Sequence, residues 1–187
     1  MENSSNIYKM TKTVTHIDCP KEWESTNDWD SHRGLLWLSL INTTGDVREF
    51  GMGHGSTVLI DKMCDLQKRN FNSEETNIDW VEEVHKSYDN WWGNLLYIVD
   101  DYSDLELEPH GLLFVDCAPA EERKNVIERN KDICDVIVVH DSEIGSDYVY
   151  GMKGVLSTFK YRIDYKPEGK PQTTAVSNTI DVTKWLP

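Results

Sequence analysis

At 187 residues the chain has the length of one domain around one core, which excludes two full catalytic domains. Apolar residues make up 39% and charged residues 28%, with seven Trp and eight Tyr, enough bulk to bury a real core and to exclude disorder as the default. Thirty-three acids against 19 bases leave a net charge of −14, which repels phosphate backbones and anionic lipid, so neither nucleic acid nor membrane is expected as a partner.

Residues 1–30 are polar, with Cys19-Pro20 and three isolated aromatics (Tyr8, Trp23, Trp29), and read as an irregular arm over a core of residues 31–187 within a single domain. Met1 to Asn6 show no charged-then-apolar leader, and no run reaches the roughly 18 apolar residues of a membrane span. A cytoplasmic protein is expected. Cys19, Cys64, Cys117 and Cys134 form no CxxC or CxxH pair and read as free, mostly buried thiols.

His32 to Asn42 is densely apolar and stops at Thr43-Thr44-Gly45, as a buried helix does. Val47 to Phe50 is a short strand, followed by the glycine-rich Gly51-Met52-Gly53-His54-Gly55-Ser56-Thr57. Val58, Leu59, Lys62, Met63 and Leu66 then recur at helical spacing. Asn70 to Glu75 is a second strand, and Trp80, Val81, Val84 and Tyr88 form another helical stripe. Trp91-Trp92 reads as core or interface. Leu95 to Val99, Gly111 to Val115 and Asp135 to Val139 are apolar throughout, with a charged helix from Ala120 to Asp132 between the last two. Continuous apolar runs separated by helices belong to parallel strands covered on both faces, so the fold class is α/β with a doubly wound sheet. Ser142 to Gly154 reads as a loop. Thr158 to Tyr165 and Thr173 to Val182 alternate around a turn at Lys166 to Pro171, which predicts an appended β-hairpin with one face in water.

Alternate glycines after a strand let the backbone turn sharply and present amide groups at a helix start. The dinucleotide fingerprint is GxGxxG, whereas the spacing here is GxGxG, with Ser56 at the place of the third glycine. Glu49 just before the loop would repel a pyrophosphate and suits a cationic ligand such as a sulfonium or an amine. Spacing and charge together count against a nicotinamide oxidoreductase.

Glu49-Phe50-Gly51-Met52-Gly53-His54-Gly55-Ser56-Thr57 resembles motif I of class I S-adenosylmethionine-dependent methyltransferases, an acid and a spacer before GxGxG. The resemblance covers about residues 31 to 187 and includes the acid after the second strand and the final hairpin. It implies a Rossmann-like, doubly wound, seven-stranded, mostly parallel sheet with a C-terminal antiparallel hairpin, and S-adenosylmethionine as cofactor. By position, Gly51, Gly53, Gly55 and Ser56 would pass under the cofactor and Glu49 would lie near its amino group. Glu75, or else Glu74, would hold the ribose hydroxyls, and Asp101 with Tyr102 would flank the adenine.

Ligands of doubly wound sheets bind beyond the carboxyl ends of the strands, where Asp116 and the group His140, Asp141 and Glu143 fall. Asp116 and Asp141 are the candidate ligands for a divalent metal such as Mg²⁺. The same pair with His140 forms the candidate catalytic group, His140 having a pKa suited to taking a proton from an acceptor. Capping bonds are the plainer reading of His140 and Asp141; His32 reads either as lying across the cofactor or, more simply, as a surface turn, and Arg123 either as a clamp for an acidic acceptor or, more simply, as a surface helix start. The expected function is methyl transfer to a small-molecule or sugar-type acceptor; the alternative is a non-catalytic cofactor-binding or scaffold module of the same fold. So short a chain leaves acceptor recognition to residues 1–30, to Ser142 to Gly154, or to a second copy in a homo-oligomer.

Overall fold

The computed structural model describes residues 10–24, 26–86 and 95–186. Tyr8, Tyr88 and the Trp91-Trp92 pair lie outside the described residues. Eight strands form one sheet: β1 (Met10–Val14), β2 (Val47–Phe50), β3 (Phe71–Glu75), β4 (Leu95–Ile98), β5 (His110–Val115), β6 (Cys134–Val139), β7 (Tyr161–Tyr165) and β8 (Thr173–Ser177). Their spatial order is β1-β7-β8-β6-β5-β2-β3-β4, and every pairing is parallel except those of β8, which runs antiparallel to β6 and to β7. The helices are α1 (Arg33–Asn42), α2 (Ser56–Gln67), α3 (Ile78–Lys86), α4 (Glu122–Asn130), α5 (Asp147–Tyr150) and α6 (Met152–Leu156).

The sheet is covered on both faces, and its central strands divide their side chains between two cores. Leu112 and Phe114 of β5 and Val136 and Val138 of β6 pack with Leu35, Leu36, Leu59 and Ile60 of α1 and α2. The intervening Leu113, Val115, Ile137 and Val139 pack with Val126 and Ile127 of α4 and with Met152, Val155 and Leu156 of α6. Period-two alternation therefore feeds two apolar faces, which is why Leu112 to Val115 and Val136 to Val139 are apolar at every position. Each fully buried aliphatic side chain contributes about 1.5–3 kcal/mol of transfer free energy.

Several expectations are corrected. The sheet has eight strands rather than seven, because Met10–Val14 of the arm adds an edge strand on β7. Its polar MTKTV sequence carries little strand signal, as suits an exposed edge. The arm also contains a 3-10 turn at Lys21–Trp23 whose Trp23 enters the first core. The C-terminal strands β7 and β8 form the expected antiparallel pair, but it is not appended at the edge with one face in water. β8 is inserted between β6 and β7 and is buried at all five positions, with the Thr174 hydroxyl donating to Asp164 Oδ1 at 2.6 Å. On α2 the buried apolar residues are Leu59, Ile60, Met63 and Cys64, while Leu66 is exposed. The expected loop from Ser142 to Gly154 contains α5 and the start of α6, joined at Gly151 in the left-handed region (φ +60°). All four cysteines are free thiols, three of them buried. Among the described residues no helix is long and apolar enough to cross a membrane.

Candidate functional site

The carboxyl ends of β2, β3, β5 and β6 open onto one cavity of about 620 Å³, within the usual size of a small-molecule site, roughly 300–1,000 Å³. One side is the glycine loop (Met52, Gly53, His54, Gly55) with Glu75, Asn77 and Trp80; the other is Asp116, Arg123, His140, Asp141 and Tyr150; the arm from Asn27 to Arg33 closes it.

Gly51 sets the turn. Its φ is +91°, and a Cβ there would lie 2.5 Å from the backbone of Asp116 and Cys117. Only glycine lets β2 end this close to β5. Glu75, at the tip of β3, ties the loop to the next turn: Oε2 accepts the Met52 amide at 3.1 Å, and Oε1 accepts those of Thr76 and Asn77 at 2.8 and 2.9 Å. Thr76 Oγ1 also donates to Oε1, at 3.4 Å, so Oε2, with its one bond, is the oxygen with a lone pair left for a ligand hydroxyl. Trp80 Nε1–H donates to the Met52 carbonyl at 2.6 Å and fixes the same loop from α3. The arm fixes it from the other side: Asp30 holds Arg33 at 3.1 Å, and Arg33 Nε–H donates to the Gly55 carbonyl at 3.3 Å.

Asp116, His140 and Asp141 converge. His140 Nδ1 lies 3.2 Å from Asp116 Oδ2, and its Nε2 lies 2.8 Å from Ser31 Oγ. Burial disfavours charge on His140, but the carboxylates of Asp116 and Asp141 outweigh it and raise its pKa above the ordinary histidine value. Burial likewise works against charge on Asp116, and His140 and Arg123 more than compensate, so its pKa is lowered. Asp116 is the open member of the pair, its side chain 23% exposed against 5% for His140. His32 is buried beside them, its ring 4.9 Å from that of His140 and 5.0 Å from that of Phe114. Burial and the neighbouring His140 push its pKa down to about 3, so it is neutral.

For two members of this group the simpler reading fails and the site reading stands nearer. Arg123 is no surface residue: Nη2 meets Asp116 Oδ1 at 2.7 Å, Nη1 meets Asp141 Oδ2 at 3.2 Å, and Nε–H donates to the Cys117 carbonyl at 2.9 Å. Among the described residues a guanidinium therefore joins Asp116 to Asp141, the two acids expected as metal ligands. His32 is no surface turn but a wall of the cavity. Its only sequence signal was a histidine opening an otherwise apolar helix. Arg123 carried the cue of following Ala118-Pro119 at a strand end.

Other expected residues stand elsewhere. Glu49 is fully buried beneath the loop and does not line the cavity; its Oε2 accepts from Thr57 Oγ1 at 2.8 Å and Ser73 Oγ at 2.6 Å. Burial pushes its pKa up to about 8, the surrounding hydroxyls offsetting only part of the shift. Ser56 is buried at the start of α2, behind the loop. Asp101 caps a 3-10 turn by accepting the Ser103 amide at 2.7 Å, on a separate surface hollow. Tyr102 is buried against Phe50 in the second core, its ring 5.4 Å away. Neither flanks the cavity. Glu74 pairs with Arg48 at 2.7 Å, which leaves Glu75 as the acid on the cleft.

A glycine loop after the first core strand, an acid at the tip of the second and a reversed strand inserted next to the fifth make this the fold of class I S-adenosylmethionine-dependent methyltransferases. Among solved structures, the chain is similar to the N-methyltransferase NodS from Bradyrhizobium japonicum WM9 (TM-score 0.59, 12% identity, 80% of this chain and 94% of that one). It is similar to human methyltransferase-like protein 13 in complex with SAH (0.58, 17%, 83% and 84%) and to spermidine synthase from Thermotoga maritima (0.60, 15%, 86% and 63%). At these identities the likeness is one of fold. No protein-family profile matches the sequence, and no curated protein sequence matches it.

Proposed function

We propose that the protein binds S-adenosylmethionine and transfers its methyl group to a small-molecule acceptor. The observation that carries this reading is the single cavity that joins the glycine loop and Glu75 at one end to Asp116 and His140 at the other. A bisubstrate reaction needs two such ends in one enclosure. Five carboxylates (Asp28, Asp30, Glu75, Asp116, Asp141) line it against two guanidiniums (Arg33, Arg123), a balance that favours a cationic ligand over a pyrophosphate. Solved complexes of proteins with this fold hold SAH or the analogue AdoDATO.

The backbone of Gly53 and Gly55 would bear the cofactor's amino-acid end, and Glu75 its ribose hydroxyls. Asn77 and Trp80 take the adenine role that the sequence suggested for Asp101 and Tyr102. When bound, the cofactor supplies a methyl carbon made electrophilic by positive sulfur. Asp116 faces the cavity and would accept a hydrogen bond from an acceptor hydroxyl or amine, orienting it, while Arg123 and His140 hold the carboxylate in place and ionised. The acidic surplus supports a small molecule over nucleic acid as acceptor, and the four free cysteines accord with a cytoplasmic setting.

A non-catalytic binding module is the second reading. What favours it is that Arg123 already neutralises Asp116 and Ser31 already occupies His140 Nε2. Calorimetric titration with S-adenosylmethionine, SAH and NAD tests both. Binding of the first two and not of NAD is expected, with at least tenfold weaker binding by Glu75→Ala. Absence of binding by both sulfur compounds overturns the proposal, and binding with no SAH release across an acceptor panel selects the module.

A further inference from the structure

We propose that His32, Asp116 and His140 form a site for a divalent first-row transition-metal ion of the zinc, cobalt or iron type at the acceptor end of the cavity. One donor atom from each of the three lies within 4.8 Å of the others. Asp116 Oδ2 and His140 Nδ1 are 3.2 Å apart, and two ligands of one metal at about 2.1 Å, at tetrahedral or octahedral angles, are separated by about 3.0–3.4 Å.

The third donor carries the stronger signal. His32 is 2% exposed, and neither of its ring nitrogens has a hydrogen-bond partner among the described residues. Buried polar atoms are nearly always paired, so an imidazole with two bare nitrogens facing a carboxylate and a second imidazole is missing a partner. Among the described residues its ring packs against those of Phe114 and His140, at 5.0 and 4.9 Å, and makes no hydrogen bond that would fix it in another role.

The surroundings suit such a site. Ser31 Oγ at 2.8 Å orients His140 through the nitrogen that Asp116 does not engage, and Arg123 at 2.7 Å orients Asp116 through the oxygen that His140 does not engage. Outer partners of this kind fix metal ligands. Two nitrogens and one oxygen select a transition metal over Mg²⁺, whose preference is for oxygen. With three protein ligands, all on the cavity wall, a coordination position stays open toward the cavity. An acceptor hydroxyl, thiol or amine that reaches it would be held and acidified there. That last role rests on the methyl-transfer reading; ion binding does not.

The chelator-stripped full chain is titrated with Co²⁺ and Zn²⁺, followed by calorimetry and by the visible absorption of Co²⁺, without cofactor. One equivalent of Co²⁺, displaced by Zn²⁺, is expected, and no saturable uptake of Mg²⁺. His32→Gln and Asp116→Asn should each weaken binding at least tenfold, and His16→Gln, at an exposed position, should leave it unchanged. In the unsubstituted chain, Zn²⁺ should shift the ring ¹⁵N resonances of His32 and His140 but not of His16, a readout that needs no variant to fold. Absence of saturable binding, unmoved His32 resonances, or a His32→Gln chain that binds as tightly as the original overturns the proposal. A chain that binds SAH and no metal loses only this site, and one that binds metal and no SAH loses only the cofactor reading.

Discussion

Arg123 on α4 meets Asp116 at the tip of β5 across 2.7 Å, and the same guanidinium reaches Asp141 at 3.2 Å. One side chain thus fixes the ends of two neighbouring strands, and it is buried where it does so. Removing it leaves the two buried-edge carboxylates with only the His140 imidazole near both, at 3.2 and 3.6 Å, in place of a permanent cation. Arg123→Met is expected to lower stability by about 3 kcal/mol in urea unfolding. Arg123→Lys should recover only part, because a point charge does not span both acids as a planar fork does. Full recovery by lysine would show that geometry is unimportant here.

Gly51 and Gly145 separate backbone need from mere tolerance. Alanine at Gly51 would combine a φ of +91° with a 2.5 Å approach to the Asp116 backbone, while a Cβ at Gly145 meets nothing within 4 Å. Gly51→Ala is expected to cost more than about 2 kcal/mol, and Gly145→Ala to stay within about 0.5 kcal/mol. Thermal and urea unfolding of the two variants side by side decide it.

Glu49 gives stability a pH dependence opposite to that of a salt-bridged acid. Its folded pKa is about 8, from an ordinary value of 4.5, because burial favours the neutral form. Between those values the unfolded chain has released this proton and the folded chain has kept it. The unfolded state therefore binds fewer protons, and stability from this group falls as pH rises from about 4.5 to about 8. Glu49→Gln removes the titration. The variant should match the original near pH 4.5 and gain on it progressively up to pH 8; a difference that stays constant across that window would contradict the assignment.

Glu75 accepts three backbone amides, those of Met52, Thr76 and Asn77. Glu75→Ala should speed hydrogen exchange at these positions by at least tenfold, with the core strands β5 and β6 unaffected. Unchanged exchange at Met52 would mean that Trp80 and Arg33 hold the glycine loop without Glu75.

The sequence by itself determined the layered sheet, since side-chain periodicity is a local property. Leu112 to Val115 and Val136 to Val139 are apolar at every position because both faces are covered, and that pattern is written in the residues. The turn at Gly51 was legible for the same reason, because a strand that ends in alternating glycines announces a sharp bend. Glu75 was placed by its position at a strand tip.

Only the tertiary structure decided which side chains meet. β8 is amphipathic in sequence and buried in fact, because insertion between β6 and β7 is settled by strand order rather than by alternation. Arg123 and His32, 91 positions apart in the chain, both reach Asp116's surroundings, and no spacing rule connects them. Tyr102 and Asp101 closed an apolar run as site residues do, yet the chain turns Tyr102 into the second core and Asp101 onto the surface. Local patterns fix which faces are buried. Long-range pairings among charges depend on where each loop carries its ends, a free energy shared by the whole fold.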